Sequence, residues 1–263
     1  MTGTTESERL DPAVRDDLLE QVPDKPRFVM ARGLLLSDRG RVLLGPEGRR
    51  GAGFIVLDRD RPRICQAVGR PVAGLVEELL ADCADCHEIV ADGETADHFA
   101  SLLPGWIARP ATTHVHPAPE TLGRLAAEGA GGREVRFLGP EDVASLARLP
   151  DAMRAELVLA LGHAPTVATF VDRLPVAFCY AAYETETWWD VSVGTLEGER
   201  RRGHASAAAA LLVARMLRHG KRPVWGALDA NQASWKMAAK YGFRAVDRMV
   251  VFTPPERRAS SRE

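Results

Sequence analysis

The stretch Trp188-Trp189-Asp190-Val191-Ser192-Val193-Gly194-Thr195, followed after a polar loop by Arg200-Arg201-Arg202-Gly203-His204-Ala205-Ser206, decides the fold. Its first part is rich in aromatic and β-branched residues and reads as a strand. In the second part Gly203 and Ala205 carry almost no side chain, so the backbone can approach a ligand and turn its N–H groups inward. From about Ala205 to Arg218 the chain is Ala- and Leu-rich on nearly every face, which predicts a helix covered on both sides. The first turn of such a helix offers unpaired N–H groups and the positive end of its dipole. Three arginines stand at the same point, and together these features describe a pyrophosphate cradle. Taken alone, R-x-x-G-x-A is short and also fits a solvated basic turn.

Working outward, strands are predicted at Glu134–Leu138, Thr166–Val171 and Pro175–Tyr183, with turns at Asp172-Arg173 and Glu184–Glu186. Pro140 and Asp151 begin two helices ahead of them. After the Ala-rich helix come a strand at Pro223–Leu228, a helix at Asn231–Lys240 and a last strand at Phe243–Phe252. The order β-α-α-β-β-β-α-β-α-β gives an α/β (α+β) fold, a mixed central sheet flanked by helices.

At this point the sequence resembles the GNAT superfamily of acetyl-CoA-dependent N-acyltransferases. Their cofactor loop reads Q/R-x-x-G-x-G/A after the fourth strand, and their next strand leads into N-x-x-S/A and then G-F. The matching residues are Arg200-x-x-Gly203-x-Ala205, Asn231-x-x-Ser234 and Gly242-Phe243, and the likeness covers about residues 134–252. The run from Trp188 to Leu196 leading into R-R-R-G looks more narrowly like a bacterial GNAT group with an extra N-terminal domain, which includes an antibiotic-resistance acetyltransferase acting on zwittermicin. That resemblance implies a divergent first domain beside a complete catalytic second one.

The resemblance implies that Val193, Gly194 and Thr195 offer main-chain groups to the pantetheine arm of acetyl-CoA. It implies that Arg200, Arg201, Arg202, Gly203, His204, Ala205 and Ser206 wrap the pyrophosphate, and that Asn231 and Ser234 sit beside the pantetheine arm. Asn231 equally suits a plain N-cap. Acetyl transfer needs an unprotonated amine, hence a base, and an acid for the departing thiolate. Asp190 is the candidate base, with Glu184 and Glu186 also within range; all three equally suit a solvated surface. Alternation places Asp190 and Ser192 opposite Val191 and Val193. Many relatives carry a Tyr acid seven residues after the Asn, but that position is Ala238 here. Tyr241 lies about one turn further on and equally suits core packing. Trp188 and Trp189 either line an acceptor pocket or fill core, one of them pointing inward.

The first half is less legible. A helix at Pro12–Gln21, strand-like runs near Phe28–Met30 and Arg41–Leu44, strands at Gly53–Leu57 and Arg63–Val68, a helix at Val72–Cys83, a strand at His87–Val90, a helix at Ala96–Leu103 and a strand at Thr112–His116 are predicted. The small-residue run Ala126–Gly132 reads as a linker. The expected division is residues 1–125 as a smaller α/β domain of unknown role, 126–133 as linker, 134–255 as the acetyl-CoA-binding catalytic domain and 256–263 as a flexible tail. Cys83-Ala84-Asp85-Cys86-His87 spells C-x-x-C-H, a haem-attachment or zinc pattern, yet it ends an apolar helical stripe where cysteines serve as small hydrophobes. His114-x-His116 places two imidazoles on one strand face, and ordinary strand histidines are the simpler reading. No metal is therefore expected.

The 263 residues are 46 % apolar and 27 % charged, with a formal net charge of −2, which argues against a disordered or nucleic-acid-attracting chain. No membrane segment and no signal peptide are read, so the expected location is the cytoplasm. The expected activity is transfer of an acetyl group from acetyl-CoA to an amine of a small molecule or peptide, the alternative being a catalytically impaired CoA-binding sensor. A GNAT sheet ordinarily ends in a two-strand hairpin, whereas only Phe243–Phe252 fits here. The edge beside Met249–Phe252 is therefore expected to be covered by the first domain or by a second subunit in a homodimer.

Overall fold

A computed structural model describes residues 10–45, 53–61, 63–82, 88–122 and 133–255. It divides into two compact units, one holding Met1–Thr112, Leu228–Ala230 and Asp247–Glu263, the other Thr113–Ala227 and Asn231–Val246. The expected linker lies outside the described residues apart from Arg133, as do the tail 256–263 and the C-x-x-C-H run at 83–87.

In the first unit, Asp11 caps helix α1 (Pro12–Gln21), its carboxylate accepting the N–H groups of Ala13 (2.8 Å) and Val14 (3.2 Å). The run Phe28–Met30, expected as strand, is instead the end of a 3₁₀ turn (Pro26–Phe28) and the start of helix α2 (Val29–Leu36). Pro26 presets the first turn, and the continuous apolar run through Leu36 is as compatible with a buried helix as with a strand. Strands β1 (Gly40–Leu44), β2 (Gly53–Asp58) and β3 (Ile64–Gly69) pair antiparallel in sequence. Helix α3 (Ala73–Asp82) leads to β4 (Glu88–Asp92), which pairs with β3 in parallel, and helix α4 (Gly93–Leu102) follows. Strand β5 (Ile107–Val115) begins in this unit and ends in the other. The core is built from Leu43, Ile55, Leu57, Leu79, Ile89 and Phe99 with Phe252.

In the second unit β6 (Glu134–Phe137), β7 (Thr166–Val171), β8 (Leu174–Glu184) and β9 (Trp188–Thr195) pair antiparallel in order. Asp172 and Arg173, both left-handed, make the tight turn from β7 to β8. Helices α5 (Val143–Leu146) and α6 (Asp151–His163) precede β7, and helix α7 (His204–Arg218) follows β9. Strand β10 (Arg222–Leu228), helix α8 (Gln232–Lys240) and strand β11 (Arg244–Thr253) complete the chain. Cys179, Trp189 and Val191 pack with Ala208, Leu212 and Met216 of α7, while Tyr180, on the other face of β8, donates to Glu156 of α6 (2.6 Å). Helices therefore cover both faces, and the mixed α/β sheet is as expected. Helix α7 is buried or half-buried through nearly its whole length, with Arg215 and Arg218 exposed in its last turn.

The edge beside Met249–Phe252, expected to be covered, is occupied. Residues Met249–Phe252 of β11 pair antiparallel with Asp92–Ile89 of β4, within the first unit. Strand β11 is long enough for its first residues to belong to one unit and its last to the other, so the chain from 134 to 255 is not confined to a single unit.

One buried polar residue in the first unit was not anticipated. Gln66 is fully buried on β3; its Oε1 accepts the N–H of Ala31 (2.8 Å) and its Nε2 donates to the carbonyl of Arg27 (2.9 Å), fixing the entry to α2. Gln66→Leu leaves a buried donor and a buried acceptor without partners, at about 1–3 kcal/mol each. With each kcal/mol worth about 2–4 °C in a chain of this size, thermal denaturation should show a fall in Tm of several degrees or more.

Candidate functional site

Strand β9 is the floor of the site, and its pairing changes along its length. Trp188, Trp189 and Asp190 pair in parallel with Arg222, Pro223 and Val224 of β10, and the recorded register ends there. On its other side β9 stays paired to β8 through Thr195. The main chain of Val193, Gly194 and Thr195 thus lies on a strand edge that has parted from its neighbour, where an extended amide-bearing ligand can add hydrogen bonds. Gly194 is required by packing, since a Cβ there would collide with the ring of Phe178, its antiparallel partner on β8.

From Thr195 the chain makes a 3₁₀ turn (Glu197–Glu199) and enters the arginine run. Arg201 takes a left-handed conformation (φ 64°), unusual for a residue with a side chain, and Gly203 takes another (φ 83°). Gly203 is the N-cap of α7 and offers no side chain to it; the first helical bond runs from Ala207 N–H to the Gly203 carbonyl (3.1 Å). The N–H groups of His204, Ala205 and Ser206 precede that bond and have no partner within the helix. Arg200, Arg201 and Arg202 are all exposed around it. Uncapped N–H groups, a helix dipole and basic side chains converge at this turn, which is the chemistry that receives a phosphate.

Three residues outside the sequence reading hold this loop. Arg133 donates to the carbonyl of Arg202 (2.9 Å) and Thr169 Oγ1 to that of His204 (2.8 Å). Glu199 receives Arg202 Nη1 (3.0 Å) and lies 3.3 Å from Nε2 of the buried His204. The only sequence signals for them were a polar Thr within a buried strand and an acid three residues before an arginine.

The remaining predicted residues fall around this centre. Asn231 is an N-cap, its side-chain oxygen accepting Ser234 N–H (3.1 Å), and Ser234 Oγ accepts the indole N–H of Trp225 (2.8 Å). Asp190 is half-buried on the face opposite Trp189 and Val191, which it shares with Ser192 and the Tyr180–Glu156 pair. Trp189 is fully buried core, so it lines no pocket, whereas Trp188 is half-buried under the guanidinium of Arg222 (4.8 Å). Glu184 is exposed and paired with Lys221 (3.0 Å). Cys179 is buried, and desolvation followed by the charge of Asp190 pushes its thiol far above the ordinary range, so it is no nucleophile. Tyr241 shares a hydrogen bond with Ser206 in the first turn of α7; burial raises its pKa and that bond partly offsets the rise.

His114 and His116 are buried rather than metal-facing. His114 Nδ1 lies 3.1 Å from the Trp225 carbonyl, with its ring edge-on to Trp235 (4.6 Å). His116 Nδ1 accepts the Ala118 N–H (3.1 Å), and no metal-holding group occurs among the described residues. No helix among them is long and apolar enough to cross a membrane.

With this geometry in place, the relatives can be read. Residues 167–252 match the family model described as GNAT acetyltransferase. Similar solved structures include a GCN5-related N-acetyltransferase-like protein from Streptococcus suis, with a TM-score of 0.71 at 16 % identity over 92 % of this chain and 98 % of that one. Others are a GCN5-related N-acetyltransferase from Kribbella flavida (0.54; 15 %; 94 % and 97 %) and an acetyltransferase of the GNAT family from Colwellia psychrerythraea (0.53; 13 %; 94 % and 98 %). At such identities the likeness establishes the fold. Among curated protein sequences, none matches the chain.

Burial holds the pKa of His116 below its usual 6.5. The unfolded chain therefore binds the proton more readily, and this residue's contribution to stability is intact above pH 6.5 and lost as pH falls below it. Urea denaturation across pH 5–7.5 should show stability declining on the acid side, with a shallower slope in His116→Gln.

Proposed function

We propose that the protein is an N-acetyltransferase that moves an acetyl group from acetyl-CoA to an amine of a small molecule or peptide. The observation that carries this reading is the parted edge of β9 running directly into the left-handed turn at Arg201–Gly203 and the uncapped start of α7. In this reading the backbone of Val193–Thr195 takes the pantetheine amides. Residues Arg200–Ser206 take the pyrophosphate, and Asn231 and Ser234 flank the arm from the start of α8. Acetyl-CoA supplies the thioester, and no metal has a part.

Asp190 is the proposed base. It stands where β9 parts from β10, on the face carrying Ser192 and Tyr180, and a carboxylate there accepts the proton an ammonium must lose before attack. A cytoplasmic location accords with a supply of acetyl-CoA.

Acetyl-CoA at a hundred times its Kd should stabilise the chain by about 2.7 kcal/mol in a thermal-shift titration. Reversing charge in Arg201→Glu/Arg202→Glu should remove that shift; no shift in the unaltered chain would defeat the cofactor reading. Thiol release should then be assayed against aminoglycosides, polyamines, amino acids and peptides. Asp190→Asn should lower kcat about 10²–10⁴-fold with little change in the KM for acetyl-CoA. A shift without thiol release on any amine would instead identify a CoA-binding sensor.

A further inference from the structure

We propose that the chain contains two copies of one CoA-binding unit, and that the first copy has been closed by its own residues, so that the protein binds one CoA per chain. The ligand's identity rests on the reading given under Proposed function; the duplication does not. From α1 to β5 the elements run α-α-β-β-β-α-β-α-β, and from α5 to β11 they run in that same order. Pairings match as well. The first three strands of each copy are antiparallel, β1-β2-β3 and β7-β8-β9, and the third pairs in parallel with the fourth.

The register makes the correspondence residue by residue. Ile64, Cys65 and Gln66 pair with Glu88, Ile89 and Val90, just as Trp188, Trp189 and Asp190 pair with Arg222, Pro223 and Val224. In both copies the recorded parallel pairing stops there although the third strand continues, to Gly69 and to Thr195. Cys65 and Trp189, equivalent in this register, are both fully buried. The helix after the fourth strand begins alike. Asp92 accepts the N–H of Thr95 (2.9 Å) and Asn231 that of Ser234 (3.1 Å), an Asx cap on a hydroxyl residue three positions on. Each unit also takes strand residues from the far half of the sequence: the first holds β11 from Asp247 onward, beside β4, and the second holds β5 from Thr113 to Val115.

Equivalence shows what differs. The position of Asp190 is Gln66 in the first copy, a neutral amide with no access to solvent, both of whose ends are committed to the entry of α2. The loop at 196–203, with its arginines and two left-handed residues, corresponds to residues 70–72 alone. Pro71 has no N–H to offer an anion. Its carbonyl lies 2.8 Å from His98 Nε2 of α4, so that helix sits against the loop. Gly53 lies so close that a Cβ there would meet the backbone nitrogens of Arg70 and Pro71. The first copy thus keeps the parted strand but has lost the arginine loop, and its shortened turn is packed against Gly53 and His98.

Calorimetric titration of the full chain with CoA, paired with hydrogen–deuterium exchange with and without CoA, tests this. The expected result is a stoichiometry near one, with slowed exchange at 191–206 and none at 64–76. A stoichiometry near two, or protection at 64–76, would overturn the closed-copy inference and leave the acetyltransferase reading intact. Absence of any binding heat would defeat both.

Discussion

The parallel pairing of β9 with β10 stops after Asp190 and Val224, and the functional reading depends on that stop. A strand in the interior of a sheet has both edges satisfied and nothing left for a ligand. By leaving β10 while staying on β8 through Thr195, β9 keeps one row of main-chain groups that an extended amide chain can pair with. Phe178 helps hold the strand there, because its ring occupies the space a side chain at Gly194 would need.

What β9 begins, α7 finishes. A helix that must bury nearly all its faces starts with its N-terminus fixed by packing, here through Ala208, Leu212 and Met216 against Trp189 and Val191. The loop between strand and helix then has little freedom. Thr169 and Arg133 hold two of its carbonyls from outside, which leaves the N–H groups on the other side of those peptides free to face one point. The left-handed residues at Arg201 and Gly203 are the backbone consequence. A non-glycine residue in that region costs about 1–3 kcal/mol unless its surroundings enforce it. The anchors supply that enforcement.

Much of this was legible because the second unit obeys simple periodicities. The β7–β8 turn at Asp172-Arg173, the strand at Thr166–Val171 and the long Ala-rich helix follow from local pattern, and alternation shows that one of Trp188 and Trp189 turns inward, though only the structure shows that it is Trp189. The misreading at Phe28–Met30 has a physical origin: an apolar run flanked by a proline carries no period, and only its burial against the rest of the first unit selects helix. Arg133, Thr169, Glu199 and Gln66 were invisible for a different reason. Arg133, Thr169 and Gln66 act through hydrogen bonds to main-chain groups tens of positions away, which sequence spacing does not record, and Glu199 offered only an acid three residues before an arginine. The His114-x-His116 pair shows the converse, a metal-like spacing in which each Nδ1 lies against a backbone group and the His114 ring stands edge-on to Trp235.

Glu199 poses the sharpest electrostatic question, since a carboxylate stands beside a turn suited to an anion. Its position answers it. Glu199 is bonded to Arg202 and lies against the ring of His204, so it neutralises one of the three arginines and orients the residue that opens α7. The net positive charge left near the turn is smaller than the sequence suggests. Exposed charges are screened over about 8 Å at physiological salt, whereas N–H groups held at fixed positions keep their geometry at any ionic strength. In the proposed reading the ligand is therefore recognised mainly through the backbone of Gly203–Ser206, with Arg200 and Arg201 as steering charge. Two of its carbonyls are accordingly anchored from outside, by Arg133 and Thr169.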